Sequence, residues 1–479
     1  MNEARVRRSA SLTQDYGALA VIVTLLLGTS PLVAQTAESP AAGHSARAVS
    51  FGYLTLLMPA GFALFTCGLV RKKNAAHLVM LNLAAFVCAA LAYYAVGYAF
   101  EFGGARRFLI GSGRWGIVGG SGFGLSALGG SAGGDADLLG MLVVMTIPAF
   151  VVIGAICERI TFGAFVVCEV FLSALLCPIF GCWVWGGGWL SQLGLTSGLG
   201  HGYIDFAGST VIHAVGGFGA MALALLLGPR LGKYSAGGES QAFPAHNIVL
   251  VVAGTLILLV GWMGFNSGST AVTSAAPLAL LGVNSVLAGA AGSAAAMVFW
   301  FVRFGTPDIS MACNGLLAGL VAIAAPCAFV GPTASVVIGA LAGLLASAGV
   351  LFNDRFLLVD DPSGAVAVHG YCGWFGALSV GLFANGSHGA GWNGVGVTSY
   401  LGRTGQGVTG LLYGDASQFF VQLGGATLSA LYAFGLTYLV FKAVNAVRAI
   451  RVARDVELEG LDLPEFGMLA YPDEGSHLG

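Results

Sequence analysis

Charge is what this sequence has least of. Asp, Glu, Lys and Arg together make up 9% of its 479 residues, where an ordinary soluble domain carries about 25%. A surface so poor in charge does not stay dissolved, so a string of soluble domains is excluded although the length allows several. An excess of base is missing too. The 20 Lys and Arg stand against 22 Asp and Glu, which excludes a polybasic nucleic-acid binder. The nine cysteines include no CxxC pair, and nearly all lie in apolar runs. There they act as small hydrophobes, which argues against a disulfide framework or a zinc site. Glycine is plentiful, 75 residues, but follows no G-X-Y repeat. What remains is 57% hydrophobic with a mean hydropathy of +0.85: the composition of an all-α polytopic membrane protein.

Apolar runs of about 20 residues, enough to cross ~30 Å of hydrocarbon, recur at 49–70, 75–99, 138–157, 161–184, 208–228, 247–266, 276–301, 311–330, 333–352, 363–385 and 416–444. They predict about 11 transmembrane helices in a transmembrane domain over 45–445, followed by a tail over 446–479. Upstream, Arg5, Arg7 and Arg8 precede the apolar stretch Tyr16 to Ala34. That is the pattern of a secretory signal peptide, placed here at 1–37, with an uncleaved extra span as the alternative. Orientation follows from basic residues. Arg71, Lys72, Lys73, Arg159, Arg230, Lys233, Arg303, Arg355, Lys442, Arg448, Arg451 and Arg454 share one set of loops and the tail, twelve against five on the other side. The positive-inside rule predicts N-out/C-in, in a bacterial inner membrane.

Ionisable residues at membrane depth are expensive, so each is a functional candidate. Of eight histidines only His213 and His369 lie well inside apolar runs. Their surroundings match: Asp205 and Asp361 each precede by eight residues, Gly217 and Gly373 each follow by four, and Phe218 and Trp374 follow by five. The two sit in the fifth and tenth spans, and an odd number of spans per unit implies opposite orientation. This predicts a 5+5 inverted repeat plus a final helix, with the two imidazoles on a shared path. A neutral imidazole suits such a path because it donates from one nitrogen and accepts at the other. Asp205 and Asp361, at span starts, are expected to cap helix N-termini, with Asp205 also favouring a nearby cation through its field. Glu169, about 10 residues into the fourth span, has no assignment; such a carboxylate is costly at depth.

The stretch Asp205-Phe206-Ala207-Gly208-Ser209-Thr210-Val211-Ile212-His213 resembles the signature of the ammonium transporter family (the Amt/Mep/Rh proteins). Similar to that family too are Trp185-Gly186-Gly187-Gly188-Trp189-Leu190, Gly261 to Ser269, Ser310 to Cys327, Val368-His369-Gly370, and, in the tail, Gly460-Leu461-Asp462-Leu463 and Ala470-Tyr471-Pro472. The resemblance implies a homotrimer whose protomers each hold a narrow apolar pore lined by His213 and His369. Trp185 and Ser269 would recruit the cation outside, and Phe265 would be one of the stacked rings closing the pore below. It implies no cofactor, no metal and no enzyme activity. One departure stands out: the family usually places a second gating Phe in the third span, where this chain reads Leu142 to Ile147, around Val144, without an aromatic.

A bare cation in an apolar tube pays on the order of tens of kcal/mol at ε ~4, and neither histidine span carries a carboxylate at depth. Ammonium is therefore expected to shed its proton at the outer mouth and cross as ammonia. The alternative is an ammonium sensor signalling through a cytosolic regulator docked on Glu457, Glu459, Asp462 and Glu465, which the resemblance implies is a PII-type protein; about 35 residues of tail are too few for a fused output domain of ≥50. An intramembrane enzyme lacks an oriented nucleophile–base pair.

Overall fold

Inside hydrocarbon no water satisfies a backbone N–H or C=O, so apolar runs of this length must close their own hydrogen bonds as helices. The computed structural model describes residues 40–105, 107–125, 132–268, 277–388 and 391–472; the proposed signal peptide over 1–37 lies outside the described residues. Ten helices among them are long and apolar enough to cross a membrane. In chain order the long helices are α1 (Ala48–Leu69), α2 (Lys72–Phe102), α3 (Leu138–Ile156), α4 (Phe162–Val184), α5 (Ser209–Leu227), α6 (Ile248–Gly268), α7 (Leu278–Phe304), α8 (Ile309–Ala324), α9 (Pro332–Leu357), α10 (Val366–Phe383) and α11 (Ala416–Val447). Helix α8 is the shortest, because the chain leaves the helix as a turn around Pro326, whose ring cannot continue the ladder. The loop after α2 carries a short strand pair, β1 (Phe108–Ile110) antiparallel to β2 (Val118–Gly119).

Several helices are not straight. Helix α3 is interrupted at Met145 and Thr146, where the Thr146 hydroxyl donates to the Val143 carbonyl at 2.7 Å. Wide π turns, common at functional sites, occur at Tyr93–Gly97 in α2 and Leu172–Leu176 in α4. Both histidines lie in the same kind of turn, Ser209–Ala214 at the start of α5 and Val366–Tyr371 at the start of α10.

The face that carries the C-terminal tail is held by charge. Glu158 takes a left-handed backbone (φ 66°), so the chain reverses after α3 while the carboxylate turns inward. It accepts from Arg71 Nε at 2.9 Å, from Asn74 Nδ2 at 2.8 Å, and from Arg230 Nη1. Arg230 also grips Asp360, Nε to Oδ2 at 2.8 Å and Nη2 to Oδ1 at 2.9 Å. The buried Arg159 guanidinium donates to the carbonyls of Ala155, Cys157, Gly228 and Asp360. One network thus joins the ends of α3 and α5 to the α9–α10 connection.

The tail packs on this face rather than trailing into solvent. Asp462 accepts from the amides of Ala76 and His77 near the start of α2, Glu465 from Phe162 at the start of α4, and Glu457 from Leu231 and Arg451. Three of the four carboxylates expected to greet a partner are already engaged; Glu459 is exposed.

Burial alone would raise the Glu158 carboxyl, but Arg230 and Arg71 outweigh it and hold the group down at about 2. Asp360, likewise buried, is held well below the usual range by Arg159 and Arg230. Glu158→Gln breaks a buried pair and is expected to cost about 3–5 kcal/mol, read as a lower apparent melting temperature in detergent. With the folded carboxyl near 2 and an unfolded Glu at ~4.3, this stabilisation is complete above ~4.3 and disappears as pH falls toward the folded value. The gap between wild type and variant is expected to be full at neutral pH and to close across that acid window. A gap that ignores pH would contradict the assignment.

Candidate functional site

Asp205 sets the local geometry. Its Oδ1 accepts the Gly208 amide at 2.9 Å, and its Oδ2 accepts the amides of Thr210 and Val211 at 2.7 and 2.9 Å and the Thr210 hydroxyl at 2.7 Å. These amides open α5, where partners are otherwise missing, so Asp205 acts as the cap expected of it. With four donors bound, it has little left to offer a cation by contact. Gly208 (φ 98°) supplies the left-handed turn between Asp205 and the helix, a conformation L side chains rarely adopt. Asp361 repeats the arrangement at α10, accepting the amides of Ala365 and Val366 at 3.0 and 2.7 Å. Burial lifts its carboxyl to about 7 against the pull of those two amides.

Each cap starts a helix whose π turn carries a histidine, and the two turns meet. A Cβ on Gly217 would collide with the backbone N of Gly370; one on Gly373 would collide with the carbonyl of Ser209 and lie 2.8 Å from the Ala214 amide nitrogen. The glycine four residues past each histidine is thus where the opposite helix presses in. This close approach brings His213 Nδ1 and His369 Nδ1 to 3.2 Å, with ring centroids 5.2 Å apart and planes 29° from parallel. Between neutral rings, one Nδ1 donates and the other accepts. Both rings are buried, and His213 Nε2 has no partner among the described residues.

Aromatic rings extend this pair in both directions. Trp262 stacks on His213 at 5.1 Å and Phe265 stands beside it at 5.6 Å. Phe62 lies 6.0 Å from His369, and Phe150 stacks on Phe62 at 5.6 Å, 4° from parallel. At ~1.5 Å per residue, Phe265 stands about 25 Å along α6 from its tail-side end, and Phe62 about 10 Å along α1 from its own. The row therefore runs along the bundle, with the histidines between.

Trp185 stands just past α4, on the face away from the tail. Its indole N–H donates to the Asp205 carbonyl at 2.6 Å, and its ring edge lies over Gly208. His213, Phe265, Trp185 and Asp205 are thus gathered around the start of α5, with His369 meeting them from α10. Ser269 lies outside the described residues. Trp262, Phe62 and Phe150 were not singled out as site residues: among 30 phenylalanines and 8 tryptophans only their ring contacts mark them, and no spacing rule reports those. Glu169 is fully buried, with neither carboxylate oxygen partnered among the described residues.

Spans packed around two opposed helices whose histidines touch in the interior make this a multi-pass membrane protein of the transporter class. The chain belongs to the ammonium transporter family: the family model described as Ammonium Transporter Family matches residues 47–471. It is similar to Ammonium transporter Amt2 of Archaeoglobus fulgidus, 41% identical over 464 residues covering 95% of each chain. The Ammonium transporter of Bacillus subtilis is 30% identical, over 88% of this chain and 96% of that one. Among solved structures, one described as a Sensor Amt Protein aligns with TM-score 0.77 and 31% identity over 88% of this chain and 98% of that chain, and Mep2 of Candida albicans with TM-score 0.73 and 27% identity over 86% of each.

Asp205→Ala strands the amides of Gly208, Thr210 and Val211 in a buried place, at a cost of about 1–3 kcal/mol. The expected result is a lower apparent melting temperature. An unchanged melting temperature would mean that Asp205 is not the cap.

Proposed function

We propose that this protein recruits ammonium at the face away from the tail, where it gives up its proton to bulk water, and conducts ammonia past His213 and His369. The observation that carries the reading is the 3.2 Å contact between the two imidazoles inside an apolar row of rings, in a chain whose relatives are named ammonium transporters. His213 Nε2, without a partner among the described residues, is an acceptor or donor for an uncharged solute. A bare cation beside it would pay a desolvation cost on the order of tens of kcal/mol. The face of Trp185 would hold the cation before deprotonation, an attraction worth ~0.5–2 kcal/mol, with Ser269 accepting one N–H and Phe265 closing the path below.

The wider reading keeps the homotrimer that the resemblance implies, the 5+5 inverted repeat, the C-in orientation in a bacterial inner membrane, the division into a transmembrane domain (45–445) and tail (446–479), and the signal peptide over 1–37. The matched glycine contacts and matched caps of α5 and α10 support the repeat.

The test is the internal alkalinisation, read by an enclosed pH-sensitive dye, when proteoliposomes meet an ammonium jump, together with ammonium-dependent growth. His213→Ala and His369→Ala are each expected to cut ammonium flux by about tenfold or more, as loss of a hydrogen-bond partner along a dry path would, or to change its selectivity. Wild-type, ammonia-selective flux in both variants would remove the histidines from the path.

A sensor acting through a PII-type partner has one supporting observation, the likeness to the solved Sensor Amt Protein. Against it, the tail's Glu457, Asp462 and Glu465 are already bound to the transmembrane bundle. Capture of a PII protein by the whole chain, but not by a chain ending at Ala453, would favour the sensor reading; equal capture by both, or capture by neither, would count against it.

A further inference from the structure

The third span carries no aromatic where the family resemblance places an outer gate. Its first aromatic is Phe150, beyond the interruption at Met145 and Thr146. That interruption matters, because it lets the lower half of α3 lie against α5: a Cβ on Gly216 would sit 3.3 Å from both Pro148 Cα and Val151 Cβ. Phe150 reaches the other way and stacks on Phe62 of α1, and Phe62 in turn leans on His369. Both phenyl rings are buried, at 2% and 1% exposure. Phe265 faces His213 on the side away from the tail, and the Phe62–Phe150 pair faces His369 on the tail side.

We propose that the Phe62–Phe150 stack is the tail-side constriction of the conduit and a determinant of which amines pass. The inference rests on the ammonia-conduction reading above and adds a specificity element to it. Parallel rings in offset contact attract each other beyond their buried area, so the stack is a cohesive stopper rather than a loose lining. It offers no hydrogen bond, so a solute leaving His369 must part the rings while unsolvated. Width then matters more than polarity. A small neutral amine passes on a transient tilt of Phe62, and an amine wider by one methyl group needs a larger one. The constriction that this chain lacks near Val144 is thus supplied on the opposite side of the imidazole pair, from a residue six positions further along the same span.

The experiment compares methylammonium chloride and ammonium chloride jumps on proteoliposomes of wild type, Phe150→Ala and Phe150→Leu. Phe150→Ala is expected to raise the methylammonium-to-ammonium flux ratio about two- to tenfold, the fold-change that loss of one ring–ring contact converts to. Phe150→Leu keeps much of the volume without the flat face and is expected to give a smaller rise in the same direction. An unchanged ratio in both variants, with wild-type melting temperatures, overturns the proposal; should Phe150→Ala fail to fold, Phe150→Leu decides. The two readings separate cleanly. If wild type passes neither solute, the conduction reading itself fails. If wild type conducts and His369→Ala abolishes flux while Phe150→Leu matches wild type, only the stopper falls.

Discussion

Two backbones pressing together, rather than two rings, are the constraint on which everything else depends. Gly217 lies against Gly370, and Gly373 against Ser209 and Ala214. Any side chain at either glycine would wedge α5 from α10 and separate the imidazoles. Small residues are how helices approach closely in lipid, where no hydrophobic force between them is available. The π turns that carry the histidines belong to the same arrangement, because a widened turn re-aims the side chains it holds. Asp205 and Asp361 then close the exposed amides at each helix start, so two interrupted helices can end within the bundle without stranded donors.

The electrostatics are arranged in layers. Guanidiniums and carboxylates gather where the tail packs, Glu158 and Asp360 between Arg71, Arg159 and Arg230. Along the row of rings itself the polar groups are the two imidazoles and the Trp262 indole N–H. An ion meeting that interior finds no counter-charge on α5 or α10. This contrast is the physical basis for reading the path as one for an uncharged solute, with any proton left at the mouth where Trp185 and Asp205 stand.

Much of this was legible in the sequence, because a membrane makes residue patterns stringent. The long apolar runs appear as helices within a few residues of their expected limits; 248–268 and 416–447, for instance, were read as 247–266 and 416–444. The histidines could be read because imidazole is rare at depth, and their pairing because matched neighbours at fixed offsets survive in one dimension. Helix α8 was less legible: its apolar run continues past Pro326, so composition could not show that the helix stops at Ala324. The tail was misleading in a different way. Four acids in a short segment suggest a solvated docking surface, whereas three of them answer the open amides of Ala76, Phe162 and Leu231. Trp262, Phe62 and Phe150 stayed hidden because ring stacking between distant spans leaves no periodic trace. Glu169 remains without a physical account.

The most direct test of the central claim is nitrogen NMR on histidine-labelled protein in lipid, looking for scalar coupling across an N–H···N bond between the two rings. The account predicts a coupled pair of Nδ1 signals, one protonated and one bare, assigned to His213 and His369 by their disappearance in either alanine variant. Two independent imidazoles, each Nδ1 bonded to water or to other groups, would contradict it.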